Sequence, residues 1–152
     1  MAGRGAGFVE PQASRQRVSL NWVAPNYFQT LGTPQVAGRD FSVVDANGTA
    51  VAIVNQAFAK YYFSSSDPLG KRFQFEGQER SFEIVGVVGD AKYSTLHEPP
   101  PRTIYLHAFQ DERGRFSEFA IRTDGPPTRV AADVRSAMQQ VLKGVPISKM
   151  LV

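Results

Sequence analysis

The chain has 152 residues, 42% hydrophobic and 20% charged, with 17 basic side chains against 14 acidic ones and no cysteine. A chain of that length buries roughly 70% of the surface its unfolded form exposes, enough for one cored domain or a domain with a lobe. The net charge of +3 is scattered rather than gathered on one face, which argues against nucleic acid as a partner, and the missing cysteines exclude disulfides and thiol chemistry.

No apolar run approaches the roughly 20 residues of a membrane helix. The opening stretch MAGRGAGFVEP lacks the apolar core of a signal peptide. The chain as it stands reads as soluble, in the manner of a loop excised between membrane helices. Residues 1–17 are rich in glycine and read as a loose start with a short strand near Phe8.

Arg17 to Val23 alternates, with Val18, Leu20 and Trp22 on one face, and predicts a half-buried strand anchored by Trp22. Pro25 suits the first turn of a short helix with Tyr27, Phe28 and Leu31 inward, closed by Gly32. Gln35 to Phe41 is extended. Asp45-Ala46-Asn47-Gly48 is a turn, because Asn and Gly accept positive φ and Asp bonds its own backbone. Ala50 to Val54 is a buried strand, and Asn55 caps a helix over Gln56 to Tyr62. Arg72 to Glu76, the Gly77-Gln78 turn and Arg80 onward form a hairpin.

That hairpin leads into Phe82 to Asp90, whose apolar residues fall on both alternating faces. This predicts the central strand of a mixed sheet, covered on both sides. After an irregular stretch, Pro99-Pro100-Pro101 imposes extended backbone without ladder donors. Thr103 to His107 reads as an edge or near-edge strand, and Asp111 to Arg115 as a charged turn. Ser117 to Thr123 reads as a strand with Phe119 and Ile121 inward.

The one long helix spans about Pro127 to Lys143, with Val130, Val134, Met138, Val141 and Leu142 on one stripe. Lys143 and Gly144 suit its C-terminal end. Pro146 to Val152 reads as a final strand. The fold class is α+β: a mixed β-sheet with one long amphipathic helix and two short ones. The organisation expected is a loose segment over 1–17, a mostly β lobe over 18–115, and a strand-helix-strand half-unit over 116–152.

Chemistry is sparse. Asp90, Ser94, His97 and Glu98 invite a hydrolase reading, but such groups are defined by geometry, and a solvated loop is the plainer account. His97 and His107 lack a third ligand for zinc. Aligning Gly48 with the turn glycine of a calcium loop puts Val43 and Val54 at positions that need Asp and Glu, so that reading fails. Gly86-Val87-Val88-Gly89 is not a dinucleotide fingerprint, and Gly70-Lys71-Arg72 is not a phosphate loop. No catalytic residue, cofactor or metal is expected. The best docking stretch is Lys92, Tyr93, Leu96, Pro99, Pro100 and Pro101, because rigid extended backbone loses less entropy on binding.

Several stretches recur in an order that resembles a known family. They are Val23-Ala24-Pro25-Asn26-Tyr27-Phe28-Gln29-Thr30-Leu31-Gly32, Ala37-Gly38-Arg39-Asp40-Phe41, Val51-Ala52-Ile53-Val54-Asn55, Tyr62-Phe63, Asp67-Pro68-Leu69-Gly70-Lys71, Ile84 to Tyr93, and Ile104-Tyr105-Leu106. Together they resemble the MacB-like periplasmic core domain of bacterial ABC-transporter permeases, closest to the duplicated orphan permeases.

The resemblance implies a non-catalytic extracytoplasmic domain carried between transmembrane helices of the same full-length chain. It implies a porter-like lobe beside a mostly β lobe. It also implies indirect coupling to a cytoplasmic ATPase and docking of a periplasmic adaptor protein. The family domain begins further upstream, which leaves half a porter-like lobe with an open sheet edge and predicts edge pairing or a homodimer. The competing readings are a ligand- or carbohydrate-binding module using Trp22 or Tyr93, and a hydrolase using Ser94 and His97.

Overall fold

The computed structural model describes residues 18–64, 66–91, 100–110 and 118–142. The chain divides into two compact units, Met1–Phe119 and Ala120–Val152.

The first unit is built on a mixed sheet of six strands: β1 Ser19–Val23, β2 Gln35–Gly38, β3 Val51–Asn55, β4 Arg72–Gln74, β5 Ser81–Val88 and β6 Thr103–His107. The order is β1-β6-β3-β5-β2, with β4 also paired to β5. β1 runs parallel to β6 and β3 parallel to β5, whereas β3–β6, β2–β5 and β4–β5 are antiparallel. Two short helices, α1 Tyr27–Leu31 and α2 Gln56–Phe63, belong to this unit.

Each face of the sheet has its own core. One side gathers Ala52, Val54, Ile84, Val87, Ile104 and Leu106 with Phe58 of α2 and Phe73 of β4. The other gathers Val51, Ile53, Val88, Tyr105 and Val23 with Phe28 of α1 and Phe41. Phe28 meets Tyr105 edge to face at 4.8 Å, a favoured aromatic geometry.

β5 is an interior strand with both faces used, as its apolar run requires. The centre of the sheet, however, is β3, flanked by β6 and β5 and buried at every position. The run Ile84-Val85-Gly86-Val87-Val88 does not alternate strictly, and the ladder shows why. The β3–β5 register slips between Ala52↔Ile84 and Ile53↔Gly86, a bulge that reverses the alternation. Ile84 and Val87 therefore share one core, and Val85 and Val88 the other. Gly86 sits in the bulge because a Cβ there would meet the Arg39 carbonyl and the Gln35 amide.

Several local readings hold. Asn55 Oδ1 accepts from the Phe58 N–H at 3.1 Å and caps α2. Gly32 closes α1 at φ 71°, and β4 and β5 form the hairpin across Gly77, at φ 75°. Pro25 lies in a turn before α1 rather than inside it.

Others are corrected. Trp22 is not a core anchor: it is 41% exposed and Leu20 46%. They pair with Leu106 and Ile104 and so face the α2 side. β1 is the edge strand there, and α2 packs on β3, β5 and β6. Of the two positions expected for β6 the near-edge one holds: it is second in the sheet, between β1 and β3, with all five residues buried.

In the second unit α3 runs Pro127–Val141, close to the expected span. Val134, Met138 and Leu142 are half-buried, Val130 and Val141 are exposed, and no residue of α3 is buried. Residues 118–123 form no ladder, against the expected strand. Phe119 is 61% exposed and Ile121 57%, so alternation alone did not recruit a pairing partner. Phe8, the turn at 111–115 and the strand at 146–152 lie outside the described residues.

Candidate functional site

A groove of about 1300 Å³ opens in the sheet unit. Its walls are Val36 and Ala37 of β2, the outward side of α2 with Lys60 and Tyr61, the Asp67-Pro68 turn, and Pro100 to Arg102. Local sequence explains each wall. α2 turns Phe58 into the core, which leaves Lys60 on its open side; Tyr61, half exposed, borders the groove at the flank of that core face. Asp67 Oδ1 accepts from the Leu69 N–H at 3.0 Å, the bond that sets an Asx turn.

The floor of the groove is tied together by Asn55, which is 2% exposed. Its Nδ2 donates to Asp90 Oδ1 at 2.7 Å and to the Pro101 carbonyl at 2.8 Å. Its Oδ1 accepts from the N–H groups of Phe58 and Thr103. Asp90 Oδ1 also accepts from the Ala57 N–H at 2.9 Å, placing a carboxylate at the N-terminal end of α2 where the helix dipole favours it. One side chain thus joins the ends of β3 and β5, the start of β6 and the first turn of α2. Next to it Arg102, 7% exposed, lays its guanidinium 4.0 Å from the Tyr61 ring centroid, a cation–π contact.

Of the docking residues read from sequence, Pro100 and Pro101 line this groove. Lys92, Tyr93, Leu96 and Pro99 lie outside the described residues, as do Ser94, His97 and Glu98. Asp90, the remaining member of the hydrolase reading, is committed to Asn55 and Ala57. Trp22 does not line the groove. Sequence reasoning missed Val36, Lys60, Tyr61 and Arg102. The helical period of α2 places Lys60 opposite Phe58, whereas Tyr61, three residues on, falls beside the Phe58 face, and nothing local marks Arg102.

A second polar cluster lies where β3 begins and β6 ends. Arg39 grips Asp45 with both guanidinium nitrogens, at 2.7 and 2.8 Å. The Arg39 hydrogen bonds hold the Asp45 carboxyl below the ordinary carboxylate range; burial opposes them, and the Ser42 N–H bond adds to the lowering. The same bond raises the Arg39 guanidinium. Gln110 Nε2 donates to the carbonyls of Asp45 and Thr49, and its Oε1 accepts from the Val51 N–H. His107 is fully buried, with Nε2 3.0 Å from the Ser42 carbonyl. With its carboxylate in the Arg39 fork, Asp45 serves the turn as a structural anchor. Among the described residues no three His, Cys, Asp or Glu side chains are grouped to hold a metal ion.

The chain matches a known family model, the MacB-like periplasmic core domain, over residues 2–142. The chain belongs to that family. It is therefore a domain of the kind found in the periplasmic part of MacB-like ABC-transporter permeases. Among solved structures it is similar to the periplasmic region of MacB from Actinobacillus actinomycetemcomitans, at 20% identity over 80% of this chain and 56% of that one, with a TM-score of 0.59. It is also similar to the extracellular domain of the ABC-type transporter YknZ from Gram-positive bacteria, at 23% identity over 59% of this chain and 43% of that one, with a TM-score of 0.46. The MacB-like chain thus spans a little over half the length of the MacB region it matches. No curated protein matches it significantly. No described helix is long and apolar enough to cross a membrane.

Proposed function

We propose that this MacB-like domain works at the extracytoplasmic face of an ABC-transporter permease as a non-catalytic body. It passes movement of the transmembrane helices of the full-length chain to contacts with substrate or with a periplasmic adaptor protein. The cytoplasmic ATPase supplies that movement indirectly. Within the domain, the proposed contact surface is the groove bounded by Val36, Lys60, Tyr61, Pro100 and Pro101; Lys92, Tyr93, Leu96 and Pro99 are proposed as docking residues from the sequence alone. The observation that carries the reading is the family match over residues 2–142. The Asn55 hub supports it, because it braces the groove floor against the centre of the sheet, as a surface that transmits force needs.

The test is Val36→Asp with Lys60→Glu in the full-length permease assembled with its ATPase. Val36 is 48% exposed and Lys60 is exposed, so folding is retained. Export and adaptor crosslinking are expected to fall at least tenfold while ATP hydrolysis by the isolated ATPase is unchanged. Export at the unaltered level would remove the groove from the mechanism. The isolated domain is further proposed to self-associate through a sheet edge. A light-scattering mass that doubles with concentration supports this, and a constant monomer mass counts against it.

A further inference from the structure

The turn over Val43–Asn47 has features that the groove leaves unexplained. Val43 is 69% exposed and Val44 79%, yet the turn beneath them is pinned. Ser42 and Asp45 form a reciprocal capping box, Arg39 grips the Asp45 carboxylate, and Gln110 holds the Asp45 and Thr49 carbonyls. The valines are held outward by bonded backbone. Asn47, the last residue of the turn, opens the triplet Asn47-Gly48-Thr49, with all three residues exposed. This is the triplet that accepts asparagine-linked glycans. No hydrogen bond among the described residues engages the Asn47 amide or the Thr49 hydroxyl; only the Thr49 carbonyl is used. Val43–Asn47 is a 3₁₀ turn, in which side chains three apart stand on one side. Val44 and Asn47 therefore share a face.

We infer that Asn47 is the attachment site of an N-linked oligosaccharide whose first sugar lies over Val44. The donor class is an oligosaccharide carried on a polyprenyl diphosphate, brought to the chain by a membrane-bound oligosaccharyltransferase. Asn47 Nδ2 attacks the anomeric carbon of the first sugar and an N–C bond forms. The C–O bond to the diphosphate breaks, the carrier diphosphate leaves with the electron pair, and the amide loses one proton. Nothing is oxidised or reduced. The free Thr49 hydroxyl is the second recognition group of the triplet, and the C–H face of the sugar shields Val44. The inference rests on the extracytoplasmic reading, since the donor and transferase work on that side.

The experiment takes the full-length protein from the membranes of its native host and digests it with trypsin, which releases residues 40–60 with Asn47 inside. The expected peptide is heavier by a whole oligosaccharide. The shift is lost in Asn47→Gln and in Thr49→Val and kept in Thr49→Ser. Thr49→Val preserves the backbone carbonyl that Gln110 holds, so loss there is not a folding failure; circular dichroism checks each variant. An unshifted wild-type peptide overturns the inference. In parallel, Gln78→Cys, at an exposed turn, is treated in intact cells with a membrane-impermeant maleimide. Labelling without a glycan sinks the glycan alone, whereas absence of labelling sinks the extracytoplasmic reading with it.

Discussion

The sheet unit and the α3 unit contrast in one respect. Every residue of β3 and of β6 is buried, and none of α3 is, although α3 carries a clear apolar stripe. Both segments state a demand for cover. For β3 the described part of the chain meets it from two sides, with α1 and Phe41 on one face and α2 with the β4 hairpin on the other. For α3 the described residues meet it in half. Periodicity thus reports which face wants burial and is silent about where the partner comes from.

Substitutions sharpen that contrast. Ile53, fully buried at the middle of β3, should lose about 3–4 kcal/mol as Ile53→Ala in the urea unfolding of the isolated chain, the range for deleting a core aliphatic side chain. Val134→Ala on α3 should cost under about 1 kcal/mol in the same measurement, as for a partly exposed position. Equal losses would erase the distinction between the two units.

Asn55→Ala should cost about 2–3 kcal/mol, because it removes a helix cap and leaves the buried Thr103 N–H without its partner. Its loss should also loosen the groove, read as faster amide exchange at Ala57 and Thr103. Unchanged exchange there would mean that the hub does not brace the site.

The smallest effect concerns pH. The Asp45 carboxyl is lowered by Arg39 in the folded state, so near pH 4 the unfolded chain binds the extra proton. The stability that Asp45 contributes is present above about pH 4 and is lost as pH falls through the folded-state value. Arg39 is half exposed, so solvent screening keeps this contribution to about 1 kcal/mol or less. Urea midpoints between pH 7 and pH 3 should fall less in Asp45→Asn than in the unaltered chain. Identical slopes would dismiss the pair as a source of acid sensitivity.

Local chemistry alone determined much of this protein: the Asn55 cap, the Gly32 stop, the Gly77 hairpin, the two-faced apolar run at β5, and the extent of α3. Each depends on bonds or sterics within a few residues. The series of motifs, taken in order, carried the family resemblance as well. What only the tertiary structure decided is where long-range cover falls. It made β3 rather than β5 the middle of the sheet, chose the near-edge place over the edge for β6 and left Trp22 at the rim. It also set Arg102 on Tyr61 beside the groove, 41 residues along the chain. Strand order is set by pairing between distant segments, whose free energy no short window of sequence contains.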